Sequence, residues 1–275
     1  MLKRFGEKGQ GPNEIMDPNS LKFNKKNDQI EFSTMNTHEF YILPVDSIIQ
    51  NNDIPLSSYK VFDYTFENGE VSPSNIISFN DKFLTTGFID KGKYAFLNDK
   101  GNVDTIFGKY PVADEYADLT GYQKSIAYQG AFAKHPFKLQ IFYSGNANDY
   151  IEILTVNNGK FNYKKRPGSF HPEIKIHDNG ILSSSVRSPF GFLDASVTSD
   201  YIYALFSGRT LKKYGGNFGK SKKIYVFDWN LSPVCSYILE YDTRSIAVSE
   251  NNKEMYAFGI TEDNKVELMK YELKH

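Results

Sequence analysis

The sequence predicts an all-β fold made of repeated antiparallel sheets. Three observations carry that expectation: apolar runs of strand length, asparagine- and glycine-rich turns between them, and an aromatic share of 15% that suits pleated surfaces. The segment 223–239 shows the pattern in small, since Ile224-Tyr225-Val226-Phe227 and Val234-Cys235-Ser236-Tyr237-Ile238-Leu239 flank a turn at 230–233.

Along the chain, strand-like runs fall at 29–33, 59–66, 94–97, 102–107, 139–143, 150–156 and 201–206. These are strand lengths, too short for ordinary helices. Between such runs stand Glu67-Asn68-Gly69, Asn98-Asp99-Lys100-Gly101, Asn157-Asn158-Gly159, Asp178-Asn179-Gly180 and Glu250-Asn251-Asn252. Their Asn and Gly residues accept the positive φ of tight hairpins, so neighbouring strands are expected to be antiparallel. Grouped by fours, the strands give six units at 21–66, 76–107, 125–161, 174–206, 224–239 and 246–273. The 275 residues divided by six give about 46 per unit, within the roughly 40–50 of propeller blades. The expected architecture is a six-bladed β-propeller with four-stranded antiparallel blades, a single domain over 1–275. The stretch 187–193 admits a second grouping, into five units.

At the ends, 2–5 offers one strand and 244–248, 255–260 and 265–273 offer three, so the N-terminal strand is expected to close the ring. A rival reading has Met1 opening inside a blade whose earlier strands are missing from this sequence.

Composition narrows the partners. A net charge of −1, from 32 basic and 33 acidic residues, supplies no field for nucleic acid, and none is expected as a partner. The single cysteine, Cys235, excludes an internal disulfide and a thiolate metal cluster, and is expected as a small buried hydrophobe. No run approaches the roughly 18 apolar residues of a membrane helix, and no hydrophobic leader follows Leu2-Lys3-Arg4-Phe5. A monomer is expected, with no cofactor and no resident metal.

Three segments resemble the TolB-like six-bladed propeller proteins of Bacteroides-type bacteria. The first is Phe5-Gly6-Glu7-Lys8-Gly9-Gln10-Gly11-Pro12-Asn13-Glu14, similar to that group's G-x-x-G-x-G-P-x-E turn. The second is Ala127-Tyr128-Gln129-Gly130 with Pro136. The third runs from Gly191-Phe192 through Ser199-Asp200-Tyr201-Ile202-Tyr203-Ala204-Leu205-Phe206-Ser207-Gly208-Arg209 into Ile224-Tyr225-Val226-Phe227-Asp228-Trp229. The resemblance implies a six-bladed fold and a place in the periplasm or anchored to the outer membrane. It implies no catalytic residues. With no leader after Met1, the cytoplasm stays open as an alternative.

Candidate sites are few. The glycines of 6–14 invite a phosphate loop, but the Gly-Lys-Ser/Thr ending is absent and a strand follows, so a structural turn is the better reading. His171, Glu173 and His177 approach a metal-ligand spacing, yet their turn context favours solvated loop residues. Ser183-Ser184-Ser185 lacks a nucleophile elbow, and Asp114, Glu115 and Asp118 read as an exposed acidic face. Trp229, beside its turn, reads as a packing residue. The most distinctive surface segment is 209–223, where six basic residues surround Tyr214 and Phe218 on a glycine-rich insertion between strands. Propellers bind near the central channel, so Tyr128, Gln129, Arg187, Arg209 and Arg244 are the expected contributors there, and Tyr214 of the insertion completes the expected ligand-contacting set. The leading expectation is a non-catalytic module that binds a protein, peptide or glycan at the cell envelope. The alternative is a hydrolase or lyase with its site in the channel, since propellers host both.

Overall fold

In the computed structural model, the described residues are 7–9, 11, 14–50, 55–64, 71–178, 182–261, 263 and 265–274. The expected strand at 2–5, much of the turn at 5–14, the turn 67–69, Asn179, Gly180 and His275 lie outside them. The chain divides into two compact units, one within 1–110 and 120–125, the other within 111–119 and 126–275.

In the first unit, β1 (Glu7–Lys8) and β2 (Glu14–Ile15) pair in parallel. The Glu14 carboxylate accepts the Gly11 N–H at 2.7 Å, so the turn's own side chain occupies a donor that an anion would need. Next, β3 (Pro18–Asn24), β4 (Gln29–Thr34), β5 (Glu39–Pro44) and β6 (Lys60–Asp63) form an antiparallel meander. A second meander follows: β7 (Val71–Phe79), β8 (Lys82–Ile89), β9 (Tyr94–Leu97) and β10 (Val103–Phe107). Phe40 and Phe62 of the first sheet meet Phe83 of the second at centroid distances of 5.3 and 4.8 Å, edge to face, with Ile76 and Leu97 beneath. Glu31 of β4 is buried and accepts hydrogen bonds from the Asn24 amide at 2.6 Å and the Ser78 N–H at 2.8 Å, tying the first sheet to β7.

The second unit holds β11 (Gly130–Lys134), β12 (Gln140–Gly145), β13 (Ile151–Asn157) and β14 (Lys160–Arg166), again an antiparallel meander. The β13–β14 turn is the Asn-Gly pair the sequence offers, with φ of 49° at Asn158 and 73° at Gly159. A short ladder of β15 (Ile174–Ile176) and β16 (Leu182–Ser184) comes next. Then β17 (Phe192–Val197), β18 (Tyr201–Phe206), β19 (Ser221–Asp228) and β20 (Pro233–Thr243) make one four-stranded sheet. Finally, β21 (Ile246–Val248), β22 (Glu254–Ile260) and β23 (Val266–Glu272) form three strands, joined to β20 by the pair Asp242 and Ile260.

The expected fourth and fifth units, 174–206 and 224–239, are divided otherwise. Tyr201–Phe206 pairs directly with Ser221–Asp228, so 192–243 is one sheet and 174–184 stands apart as a ladder. The expected unit 125–161 also starts later, because Gly121–Ala127 is helical and the sheet opens at Gly130.

Strand β18 explains why 201–206 is apolar without alternation. Ile202 and Ala204 enter a core with Phe142, Ile151, Ile153, Phe192 and Phe227. Tyr203 and Leu205 enter another with Ile224, Val226, Leu239 and Met255. A strand covered on both faces needs apolar residues at every position. Trp229 packs against the first core and donates its indole N–H to the Thr198 carbonyl at 3.0 Å. Its ring lies 4.6 Å from that of His135, which is buried with Nδ1 accepting the N–H groups of Phe137 and Lys138.

Candidate functional site

The site assembles at one end of three strands. The N–H of Ile246 donates to Asp194 Oδ2 and that of Val248 to Ser196 Oγ, both at 2.9 Å, so β21 runs parallel to β17 with Ile246 level with Asp194, which sets Arg244 beside the start of β17. Asn146 links the neighbouring sheet to this end: its N–H donates to the Gln129 carbonyl and its carbonyl accepts from Gly191 N–H. Gln129, Gly191 and Arg244, each just ahead of an inner strand, therefore share one rim.

The rim is widened by an antiparallel pairing outside the named strands. Ser207 N–H donates to the Gly191 carbonyl, Phe190 N–H to Arg209, Gly208 N–H to Phe190, and Lys212 N–H to Val186 at 2.7 Å. This pairing lays the insertion between β18 and β19 against 186–191. Thr210 caps a short helical turn, Leu211–Tyr214, by accepting from the Lys213 N–H, and Gly215 ends it at φ 52°. Phe218 returns the chain inward, edge-on to Phe190 at 5.3 Å, with its carbonyl accepting from Ser207 Oγ.

Arg209 and Asp242 hold this segment in place. Both terminal nitrogens of Arg209 donate to the Asp242 carboxylate at 2.8 Å, a two-point fork, and Nη1 also reaches the Asn217 carbonyl at 3.3 Å. The two side chains are 19% and 24% exposed. The Arg209 guanidinium also lies 5.1 Å from the Tyr214 ring centre, and the Lys213 ammonium 5.3 Å from it. Around them, Arg187, Lys212, Lys213 and Arg244 are exposed, interleaved with exposed Val186, Leu211 and Tyr214. Among the described residues, neither Arg187, Lys212 nor Arg244 pairs with a carboxylate.

Comparison with known proteins locates the fold. Residues 1–251 match the family described as TolB-like 6-blade propeller-like. The chain belongs to that family. Its four-stranded antiparallel sheets are those of a six-bladed TolB-like propeller. A Bacteroides fragilis protein described as exported superposes with a TM-score of 0.51 at 11% identity, over 92% of this chain and 69% of its own. Citrobacter koseri AztD gives 0.46 at 11% identity over 95% of this chain, which spans 59% of the AztD length. Kuenenia stuttgartiensis hydrazine synthase gives 0.48 at 10% identity, over 94% of this chain and 73% of its own. No curated protein matches the sequence.

Set on this TolB-like propeller, the six expected ligand contacts separate by environment. Arg209 and Tyr214 stand together, and Gln129, Arg187 and Arg244 are exposed at the same end. Tyr128 is set apart from the other five by its burial. It is fully buried, its hydroxyl accepts the Ala113 N–H at 3.0 Å, and its carbonyl accepts the Tyr143 hydroxyl at 2.6 Å. Burial raises its pKa, and its two hydrogen bonds brace the chain ahead of β11. Arg209 is also more strut than ligand contact, since its fork is occupied.

The metal and nucleophile candidates disperse. Among the described residues, no three His, Cys, Asp or Glu side chains stand close enough to hold a metal ion. His171 lies edge-on to Tyr128, while His177 Nε2 meets Ser183 Oγ at 2.9 Å. Among the described residues, no helix is long and apolar enough to cross a membrane. Sequence reasoning missed Asp242, Val186 and Leu211. The first is found only through a partner 33 residues away, and lone exposed aliphatics leave no local mark.

Proposed function

We propose that this chain is a non-catalytic binding module of the bacterial cell envelope, and that its ligand meets the rim formed by 186–188, 209–214 and 244. The observation that carries the reading is the set of exposed cations, Arg187, Lys212 and Arg244, with no carboxylate partner among the described residues, beside a pre-ordered Arg209–Asp242 fork. Unpaired charge on an ordered rim favours an acidic ligand and steers its approach. The envelope location is supported by family membership and by a structural relative described as exported.

A thermal-shift screen against peptides, glycans and cell-wall fragments tests the reading. A ligand at 100 times its dissociation constant stabilises by about 2.7 kcal/mol, and Arg187→Glu with Arg244→Glu should abolish the shift. Chemical turnover of any such ligand would overturn the non-catalytic part. A shift that survives both reversals would overturn the location.

A further inference from the structure

Resting on the rim reading above, we infer that the ligand is an acidic peptide segment carrying apolar side chains, presented by a partner protein. Three features of the rim select this class over an acidic glycan. The first concerns the aromatic ring. A sugar stacks its C–H face on an open aromatic face, but Tyr214 already has the Arg209 guanidinium at 5.1 Å and the Lys213 ammonium at 5.3 Å from its centre. Its π-system is engaged by the protein's own cations.

The second feature is the mixture of surface types. Val186 is 50% exposed and Leu211 41% exposed, and the Lys212 N–H bond to the Val186 carbonyl brings their segments side by side. They alternate in sequence with Arg187, Lys212 and Lys213. Apolar side chains seat on such spots while neighbouring carboxylates meet the cations; the hydroxyls of a polyuronic chain gain nothing from Val186 and Leu211.

The third is bare main chain. Gly216 and Gly219 have no atom within 4 Å of where a Cβ would stand, so no contact inside the chain requires glycine there. A missing side chain lets another backbone approach closely and exchange peptide hydrogen bonds, which a peptide offers along its whole length. The exposed stretch 211–217 thus joins two lysines, the aliphatic Leu211 and accessible backbone in one run, with Val186 alongside.

The test uses two probes on the whole chain: a displayed library of random peptides, and polygalacturonate as the acidic glycan. Selection should enrich peptides that combine Asp or Glu with aliphatic or aromatic residues. Synthesised winners should bind roughly tenfold more weakly to Arg187→Glu with Lys212→Glu, and more weakly as salt rises from about 50 to about 500 mM. Gly216→Ala with Gly219→Ala should leave the melting temperature in place and still weaken binding, a combination that a purely structural role for these glycines would not give. Enrichment without acidic bias, or binding that ignores the charge reversals, overturns the inference. Polygalacturonate binding that is lost in the reversals, with no acidic peptide enriched, overturns the peptide class and leaves the rim standing. Binding of neither probe overturns both.

Discussion

The Arg209–Asp242 fork is where the fold meets the proposed binding surface, and its strength can be isolated by a double-mutant cycle. Arg209→Ala removes two N–H···O bonds of 2.8 Å, the contact with Asn217 and the cation over Tyr214. Asp242→Ala removes only the carboxylate, so the coupling between the two substitutions reports the fork alone. An exposed ion pair contributes about 0.2–1 kcal/mol, and breaking a buried one costs about 3–5 kcal/mol. With side chains 19% and 24% exposed and geometry bidentate, a coupling of about 1.5–2 kcal/mol is expected. Urea unfolding of the wild type, both single variants and the double variant measures it. Amide exchange within 211–217 should accelerate in either single variant, because the segment loses its anchor to β20. A coupling below about 0.3 kcal/mol, or unchanged exchange, would refute the fork as the device that orders the rim.

Other predictions follow from buried polar groups and close backbone contacts. Burial, and then Lys138, depress the pKa of His135 to about 4, against opposing pulls from the Ser199 backbone, Glu250 and Asp200. Its folded value lies below the unfolded one near 6.5, so the unfolded chain takes the proton first on acidification. Stability from this group is complete above about pH 6.5 and is lost towards pH 4, a loss of about 2–3 kcal/mol; melting curves of wild type and His135→Gln should diverge in slope across that window, and parallel slopes would count against it. Gly191→Ala places a Cβ 1.9 Å from the Asn148 carbonyl oxygen and 2.5 Å from that of Gly145, so the backbone must move at a cost of about 2–4 kcal/mol, read by thermal denaturation. Glu31→Ala removes the acceptor that the Ser78 N–H and the Asn24 amide share and the tie between β4 and β7, costing about 1–3 kcal/mol in chemical denaturation, whereas Glu31→Gln, which keeps an acceptor, should lose less.

The strands were readable because their signal is local. Asn158-Gly159 names its own turn, and the unbroken apolar run 201–206 announces a strand covered on both faces. The division of 174–239 was misread for a related reason: the insertion between Phe206 and Ser221 is far longer than a hairpin loop, so it looked like a boundary between sheets. Only the register of Leu205 against Ile224 shows that the flanking strands are neighbours. The site divides along the same line. A place at the end of an inner strand was inferable for Tyr128, Gln129 and Arg244, but chain position does not say where a side chain points, and Tyr128 turns inward to bind Ala113. Arg187 and Arg209 look alike in sequence. What separates a free cation from a strut is Asp242, 33 residues beyond Arg209 and brought to it by the course of β20, so which cations stay open at this rim is set by tertiary pairing and not by the basic residues themselves.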